Sequence, residues 1–254
     1  MKIPLLPQHT GAPISTDELV IENSSSHKTE RISISDLSLG VNGRLTSITT
    51  LTTLGAGTYT VPSGIHKIFV RLVGGGGGGG AADGVLNQTA AGNGGSAGGY
   101  LEKTLTVVPG TDYSYFVGAG GPGGTVPSNN GSSGTSTTFD GSTLTGTNGD
   151  GGAGGATGTT SRAGTATAGG VPTGGDVNIR GGSGEQSLIS LIAWAKGGRG
   201  GESILGAGGM GNTAGTGFSG LGYGSGGGGG GTTNATDRAG GDGAQGIIII
   251  QEYS

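Results

Sequence analysis

The sequence predicts an all-β protein, a small antiparallel β-sandwich base with glycine-rich segments inserted into it. Three observations carry this. Glycine makes up 66 of 254 residues, about a quarter of the chain where roughly 7% is usual. Runs of β-branched and aromatic residues hand over to that glycine without a break, as Phe69-Val70-Arg71-Leu72-Val73 does into Gly74 to Gly80 and Tyr115-Phe116-Val117 does into Gly118-Ala119-Gly120-Gly121. The same junction is reversed at the end, where Gly240-Gly241-Asp242-Gly243 leads to Gly246 and Ile247 to Ile250. Finally, no stretch has the period of a long amphipathic helix.

Residues 1 to 45 differ from the rest, with ordinary charge and little glycine. Leu19-Val20-Ile21-Glu22 and Arg31-Ile32-Ser33-Ile34 read as short strands around a polar turn, followed by Ser35 to Leu39 and a turn at Asn42-Gly43. So short a piece with so few large apolar groups builds no core alone, and reads as an attachment or oligomerisation segment. A Thr/Leu-rich linker is expected over residues 46 to 57, and a glycine-rich β domain over 58 to 254.

Within that domain, Thr58 to Val61 precedes a Pro62-Ser63-Gly64 turn. His66 to Val73 follows with Ile68, Val70 and Leu72 on one face and Phe69 and Val73 on the other, a strand covered on both sides. Tyr100 to Val108 and Tyr113 to Val117 form a hairpin about Pro109 to Asp112. Thr135 to Phe139 and Ser142 to Thr145 form a second, joined by the two-residue signature Asp140-Gly141. Ile247 to Tyr253 is the last strand. Six or seven such strands suit a small sandwich.

The glycine stretches lie between them, over 74 to 99, 118 to 134, 146 to 184 and 197 to 243. Glycine keeps no strict every-third register, so collagen is excluded. The expected alternative is a polyglycine II-type helix, with three residues per turn and N–H and C=O groups pointing sideways. Lacking Cβ atoms, such helices approach closely and bond to one another, which satisfies the backbone. Disorder is the weaker expectation, because a formal net charge of −4 is small for a disordered chain and clean strand patterns flank the glycine.

Composition narrows the function. There is no cysteine, hence no disulfide or thiolate metal site. No run reaches membrane-spanning length and the N-terminus lacks the apolar core of a signal peptide, so synthesis in a cytoplasm without membrane insertion is expected. The mildly acidic balance argues against nucleic acid.

Gly118 to Gly123 matches G-x-G-x-x-G, with Asp140 at a suitable distance, but the glycines that follow cannot form the required helix. Gly94-Gly95-Ser96-Ala97-Gly98 matches G-x-S-x-G, yet His9, His27 and His66 all precede it, so no downstream histidine completes a triad. Asp83, Asp140, Asp150, Asp176, Asp237 and Asp242 have the oxygen chemistry for calcium. Without a repeated spacing, turn formation accounts for them better. No cofactor, metal site or enzymatic activity is expected.

Leu188-Ile189-Ser190-Leu191-Ile192-Ala193-Trp194-Ala195 interrupts the glycine and holds the only tryptophan. It reads either as a buried strand or short helix packed on the sandwich, or as an apolar tip loop contacting another protein. Phe218, Leu221 and Tyr223 form a smaller cluster with the same two readings. The contact candidates are therefore Leu188, Ile189, Leu191, Ile192, Trp194, Phe218, Leu221 and Tyr223.

Tyr59-Thr60-Val61-Pro62, Ile68 to Gly75, Gly94 to Tyr100, Val117 to Gly121 and Gly243 to Ile250 form a set. With them, the stretch from Thr58 to Tyr253 resembles the glycine-rich domain of tail fibres and adhesins of tailed bacteriophages. Asp17 to Ile21 followed by Lys28 to Leu37 is similar to a leader on phage fibre and spike proteins. The resemblance implies a non-enzymatic virion protein, exposed on the particle and commonly a homotrimer. Its loops would bind a host surface protein or glycan. Leu19, Val20, Ile21, Ile32, Ile34 and Leu37 would join other virion proteins. The long shaft of many fibres is missing, which leaves a tail-tip adhesin or, alternatively, a capsid fibre or decoration protein without a specific receptor. A polysaccharide depolymerase fits less well, since the acids show no pairing.

Overall fold

The computed structural model describes residues 18–23, 28–33, 43–126, 129–155, 157–159, 162–190 and 194–254. Among them every regular element is a strand: β1 (Glu18–Asn23), β2 (Lys28–Ser33), β3 (Leu45–Leu51), β4 (Gly55–Thr60), β5 (Lys67–Val73), β6 (Ala90–Ala91), β7 (Tyr100–Thr106) and β8 (Asp112–Val117). Then follow β9 (Thr137–Phe139), β10 (Leu144–Gly146), β11 (Arg162–Ala163), β12 (Val177–Ile179), β13 (Leu188–Ser190), β14 (Trp194–Lys196), β15 (Gly231–Thr232) and β16 (Ile247–Tyr253).

Two sheets make the base. One has the order β12-β7-β5-β16-β3 and the other β10-β9-β8-β4, with antiparallel neighbours throughout. Alternation selects the core. Ile68, Val70 and Leu72 of β5, Leu101 of β7, and Ile248 and Ile250 of β16 are wholly buried, facing Tyr59, Val117, Phe139 and Leu144 of the other sheet. Phe139 stacks on Tyr113 at 5.4 Å between ring centroids and tilts against Tyr59 at 6.1 Å. On the reverse face, Val73, Tyr100 and Ile247 are covered by Leu205 and Tyr223, so β5 is covered on both sides at its glycine end.

A carboxylate sits in this core. Glu252 is buried, and its Oε1 accepts hydrogen bonds from Tyr59 Oη (3.0 Å) and Thr49 Oγ1 (2.9 Å). Burial, and then the bond to Glu252, hold the Tyr59 phenol well above its ordinary value of 10.0. Tyr100, desolvated and donating to Glu102 at 2.7 Å, is pushed up to about 12.

Above the base stands a bundle of glycine segments, and its hydrogen bonds repeat every three residues. From segment 74–82, the N–H groups of Gly74, Gly77 and Gly80 reach the carbonyls of Gly99, Ser96 and Asn93. Those of Gly75, Gly78 and Ala81 reach Thr135, Ser132 and Asn129, and those of Gly76, Gly79 and Ala82 reach Ala244, Gly241 and Arg238. These three neighbours run antiparallel. Three parallel ones donate to its carbonyls: Gly149 and Gly152 to Gly75 and Gly78, Gly121 and Gly124 to Gly76 and Gly79, Gly227 and Gly230 to Gly77 and Gly80. The segment thus has six neighbours. Segments 90–99 and 224–230 are surrounded in the same way, bond to it and to each other, and are buried along their whole length.

Close approach explains why glycine is required here. A Cβ on Gly77, Gly78 or Gly79 would fall on the carbonyl oxygen of Asp150, Pro122 or Gly228, three different neighbours in succession. No direction is left for a side chain. Segments nearer the surface keep one open direction in three, and there the non-glycine residues stand. Pro122, Asp150, Ala153, Met210 and Asp242 are exposed, while the flanking Gly121, Gly124, Gly149, Gly152, Gly208, Gly209, Gly240 and Gly241 are buried.

The register also gives the bundle a polarity. Segments 74–82, 118–124, 147–155, 181–186, 207–212 and 224–230 run away from the sandwich, and 90–99, 129–135, 164–170, 197–201, 217–220 and 238–246 return. Gly43, where the described domain begins, donates to the Ser254 carbonyl at 2.6 Å. It therefore lies at the end of the sandwich opposite the bundle.

Several expectations are corrected. Tyr100–Thr106 and Asp112–Val117 do not pair as a hairpin: β7 lies between β12 and β5 in the five-stranded sheet, and β8 between β9 and β4 in the other, so the turn after β7 carries the chain from one sheet to the opposite one. Residues 45–51, expected within the attachment segment and linker, form β3, because Thr49 and Leu51 complete the core beside β16. The loop between β9 and β10 has four residues rather than two. Leu144 pairs with Phe139, and Asp140, Gly141 and Ser142 take φ of 56°, 59° and 82°. The strand also starts later than expected, at Thr137, because Thr135 already belongs to the bundle.

Gly77→Val is expected to lower the unfolding free energy by about 3 kcal/mol, whereas Ala153→Val on the open face should change it by less than about 0.5 kcal/mol; urea denaturation of both variants checks this. The raised phenols add a pH dependence. The native state keeps these protons where the unfolded chain has lost them, so their contribution is complete below about pH 10 and lost as pH rises toward 12. Urea midpoints measured at rising alkaline pH should fall, and the Tyr59→Phe and Tyr100→Phe double variant should flatten that slope.

Candidate functional site

The turns between outgoing and returning segments gather at the end of the bundle away from the sandwich. Among the described residues they comprise 83–89, 125–126, 157–159, 162–163, 187–190, 194–196, 213–216 and 231–237. Side-chain and backbone bonds close the short ones locally. Gln88 N donates to Val85 O at 3.0 Å, with Asn87 at φ 59°. Asn129 Nδ2 donates to Thr125 Oγ1 at 3.1 Å, and Asn212 Nδ2 to Thr216 O at 3.1 Å. Thr236 N donates to Asn234 Oδ1 at 3.1 Å.

Other bonds tie the tips together. Gly84 N donates to Asp237 Oδ1 at 2.7 Å, Ala82 bridges both Gly155 and Arg238, Thr89 bridges Gly158, and β15 pairs with β6. The tips therefore form one continuous, cross-braced surface.

One tip carries the antiparallel pair β13–β14, with β11 on the other side of β13. Ile189 and Ala195 turn inward and pack on Ala91, while Leu188 (37% exposed) and Trp194 (42%) face out. The described part of this stretch is a strand pair at a tip, with one buried and one exposed side, and it packs on the bundle at Ala91 rather than on the sandwich. Leu191 and Ile192 lie outside the described residues. Asn93 seats the hairpin, accepting from Ser187 N and Oγ at 2.8 Å each and donating to Thr165 O at 2.8 Å. A cleft of about 280 Å³ beside it is lined by Ala91, Asn93, Ala153, Thr165 and Ser187, and the Asn93 amide on its wall is engaged in these bonds.

Phe218, Leu221 and Tyr223 do not join this surface. Phe218 is exposed on the flank, its N–H bonded to Met210 O at 2.9 Å. Leu221 stands in a turn at the sandwich end, and Tyr223 packs on Val73, Tyr100 and Ile247. Conversely, Val85, Leu86 and Val126 are exposed at the tips and were not among the candidates. Their signal was available as isolated apolar residues inside glycine-rich loops. Of the attachment candidates, Leu19, Val20 and Ile21 fall in β1 and Ile32 in β2, opposite Leu19; Ile34 and Leu37 lie outside the described residues.

The motif matches have structural explanations. Ser96 is buried inside the bundle, where its Oγ accepts from Asp150 N at 2.7 Å, so it is no nucleophile elbow. Gly121 N bonds to Gly76 O where a dinucleotide site would need a helix to open. Asp242 Oδ1 accepts from Gly123 N at 2.7 Å, and Asp176 accepts from Lys103 Nζ at 2.5 Å and Thr104 N at 3.2 Å. These bonds, led by the one to Lys103, hold the Asp176 carboxyl below its usual range. Among the described residues no three His, Asp or Glu side chains cluster as metal ligands do.

A search of curated proteins gives no significant match. A family model described as a glycine-rich domain matches residues 50–253, a span running from the end of β3 to the end of β16 and taking in the whole bundle. The chain therefore belongs to this glycine-rich domain family.

Proposed function

We propose that this protein is a structural component of a bacteriophage virion, a tail fibre or tail-tip adhesin that attaches to the host cell surface through its bundle tips. The observation that carries this reading is the polarity of the domain. The chain N-terminal to Gly43 leaves from one end, and the tip turns gather at the other. Such an arrangement suits anchoring to the particle at one pole and contact at the opposite one, with the chain before Gly43 as the anchor. Exposed Leu86, Leu188 and Trp194 on a braced surface offer apolar contact at little ordering cost. The partner class is a host surface protein or glycan, and the assembly a homotrimer.

We further infer that the glycine segments are polyglycine II-type helices. The three-residue bonding period and the six-neighbour surroundings support this. Vibrational circular dichroism of the purified protein is expected to carry a left-handed threefold signature beside the β-sheet bands; a spectrum of β-sheet alone would count against it.

Binding is tested with purified protein on susceptible bacteria. The wild type is expected to block adsorption of the phage. Trp194→Ala together with Leu86→Ala should weaken cell binding at least tenfold, roughly 1.4 kcal/mol, with an unchanged Tm. Undiminished adsorption at saturating protein would favour the decoration-protein alternative.

A further inference from the structure

The five-stranded sheet ends in an open edge of an unusual kind. Among the described residues β3 has a strand neighbour, β16, on one side only. Its seven residues, Leu45-Thr46-Ser47-Ile48-Thr49-Thr50-Leu51, include no charge and no proline. Leu45 is 44% and Ile48 54% exposed. Edge strands of folded proteins are commonly shielded by charge, proline or shortness, because their free N–H and C=O groups template pairing with another chain. Of the other edges in the base, β12 and β10 have three residues each, and β4, with six, includes Gly55 and Gly57, which weaken a strand and give a partner no side chain to pack on. β3 has no such protection.

The β1–β2 hairpin has the complementary deficiency. It forms a two-stranded sheet of its own, separate from both sheets of the base, and a lone hairpin is marginally stable in water. Its two strands are chemically unequal. The middle of β1 is Leu19-Val20-Ile21, without charge, whereas β2 carries Lys28, Glu30 and Arg31. The hairpin precedes β3 by residues 34–44, a length that lets it leave its own subunit at the pole opposite the tips.

We propose that β1 of one copy adds to the free edge of β3 in a second copy, extending that sheet to β12-β7-β5-β16-β3-β1-β2. The charged β2 then becomes the new outer edge and stops further addition. Main-chain bonds supply the affinity, as in other strand-addition interfaces. The competing arrangement, antiparallel pairing of β3 with β3, would point the two bundles in opposite directions. Its rejection rests on the polarity in the proposed function above, since adhesin tips must face the same way.

The absence of cysteine makes cross-linking clean. Two full-length chains are co-expressed and oxidised, a tagged one carrying Val20→Cys or Ile21→Cys and an untagged one carrying Ser47→Cys or Ile48→Cys. The expected product is a disulfide joining a tagged to an untagged chain, lost when Leu19→Pro is added to the tagged chain while its Tm is unchanged. In a further chain carrying both a β1 and a β3 cysteine, disulfides confined within single chains would overturn exchange between copies. Disulfides between tagged chains alone, or none at all, would overturn strand addition to β3. Cell binding does not enter this readout, so its result is independent of whether the tips contact a receptor.

Discussion

Lateral hydrogen bonding between bare backbones, possible only where Cβ atoms are absent, is the constraint on which the structure depends. In segment 74–82 successive N–H groups reach three different neighbours, and the positions where Cβ atoms would stand are occupied by carbonyl oxygens of three more. From Gly75 to Gly80 both the N–H and the C=O of every residue are thereby paired, as buried backbone must be. Ordering so much glycine is entropically costly, since no residue loses more backbone freedom. The compensation comes from many bonds of modest net value made together, not from a large apolar core.

Two ways of satisfying the backbone meet at the junction after Val73. Val73 pairs with Tyr100 in the β5–β7 ladder, and the next pair outward is Gly74 N to Gly99 O. The first glycine bond thus continues the ladder. Below that point Ile68, Val70 and Leu72 bury apolar surface against the opposite sheet; above it, the same two chains gain further neighbours on every side. The sandwich gathers the segments in register, and the bundle carries that order outward to the tips. This division lets tip sequences vary without touching either source of stability.

The polar residues in the bundle follow from the same geometry. Asp242, Asp237 and Asn130 accept from N–H groups of Gly123, Gly84 and Gly154, groups with no backbone acceptor because they face the outside of the bundle. Asn93 and Ser96 are buried and bonded across to Ser187, Thr165 and Asp150, where they join segments distant in sequence. Aspartate scattered through glycine therefore has a backbone-capping explanation at these positions.

What the sequence by itself determined was every element whose partner choice is written in side chains. β5, β8 and β16 were legible as β-branched and aromatic runs, as were the inward face of Ile68, Val70 and Leu72 and the extents of the glycine stretches, although β8, expected to pair with β7, pairs with β4 and β9. An apolar interruption around Trp194 was legible as a candidate surface. What only the tertiary structure decided was the arrangement of the glycine. Gly77 bonds to Ser96, Gly227 and, through a would-be Cβ, touches Asp150, and nothing in a run of identical residues names those partners. The gathering of Val85, Leu86, Val126, Leu188 and Trp194 at one end, and the exclusion of Phe218 and Leu221 from it, follow from that lattice. So does β3, whose threonines carry a weak local signal and are recruited by β16. The physical reason is that side-chain periodicity reports local burial, while a residue without a side chain reports only that something must come close.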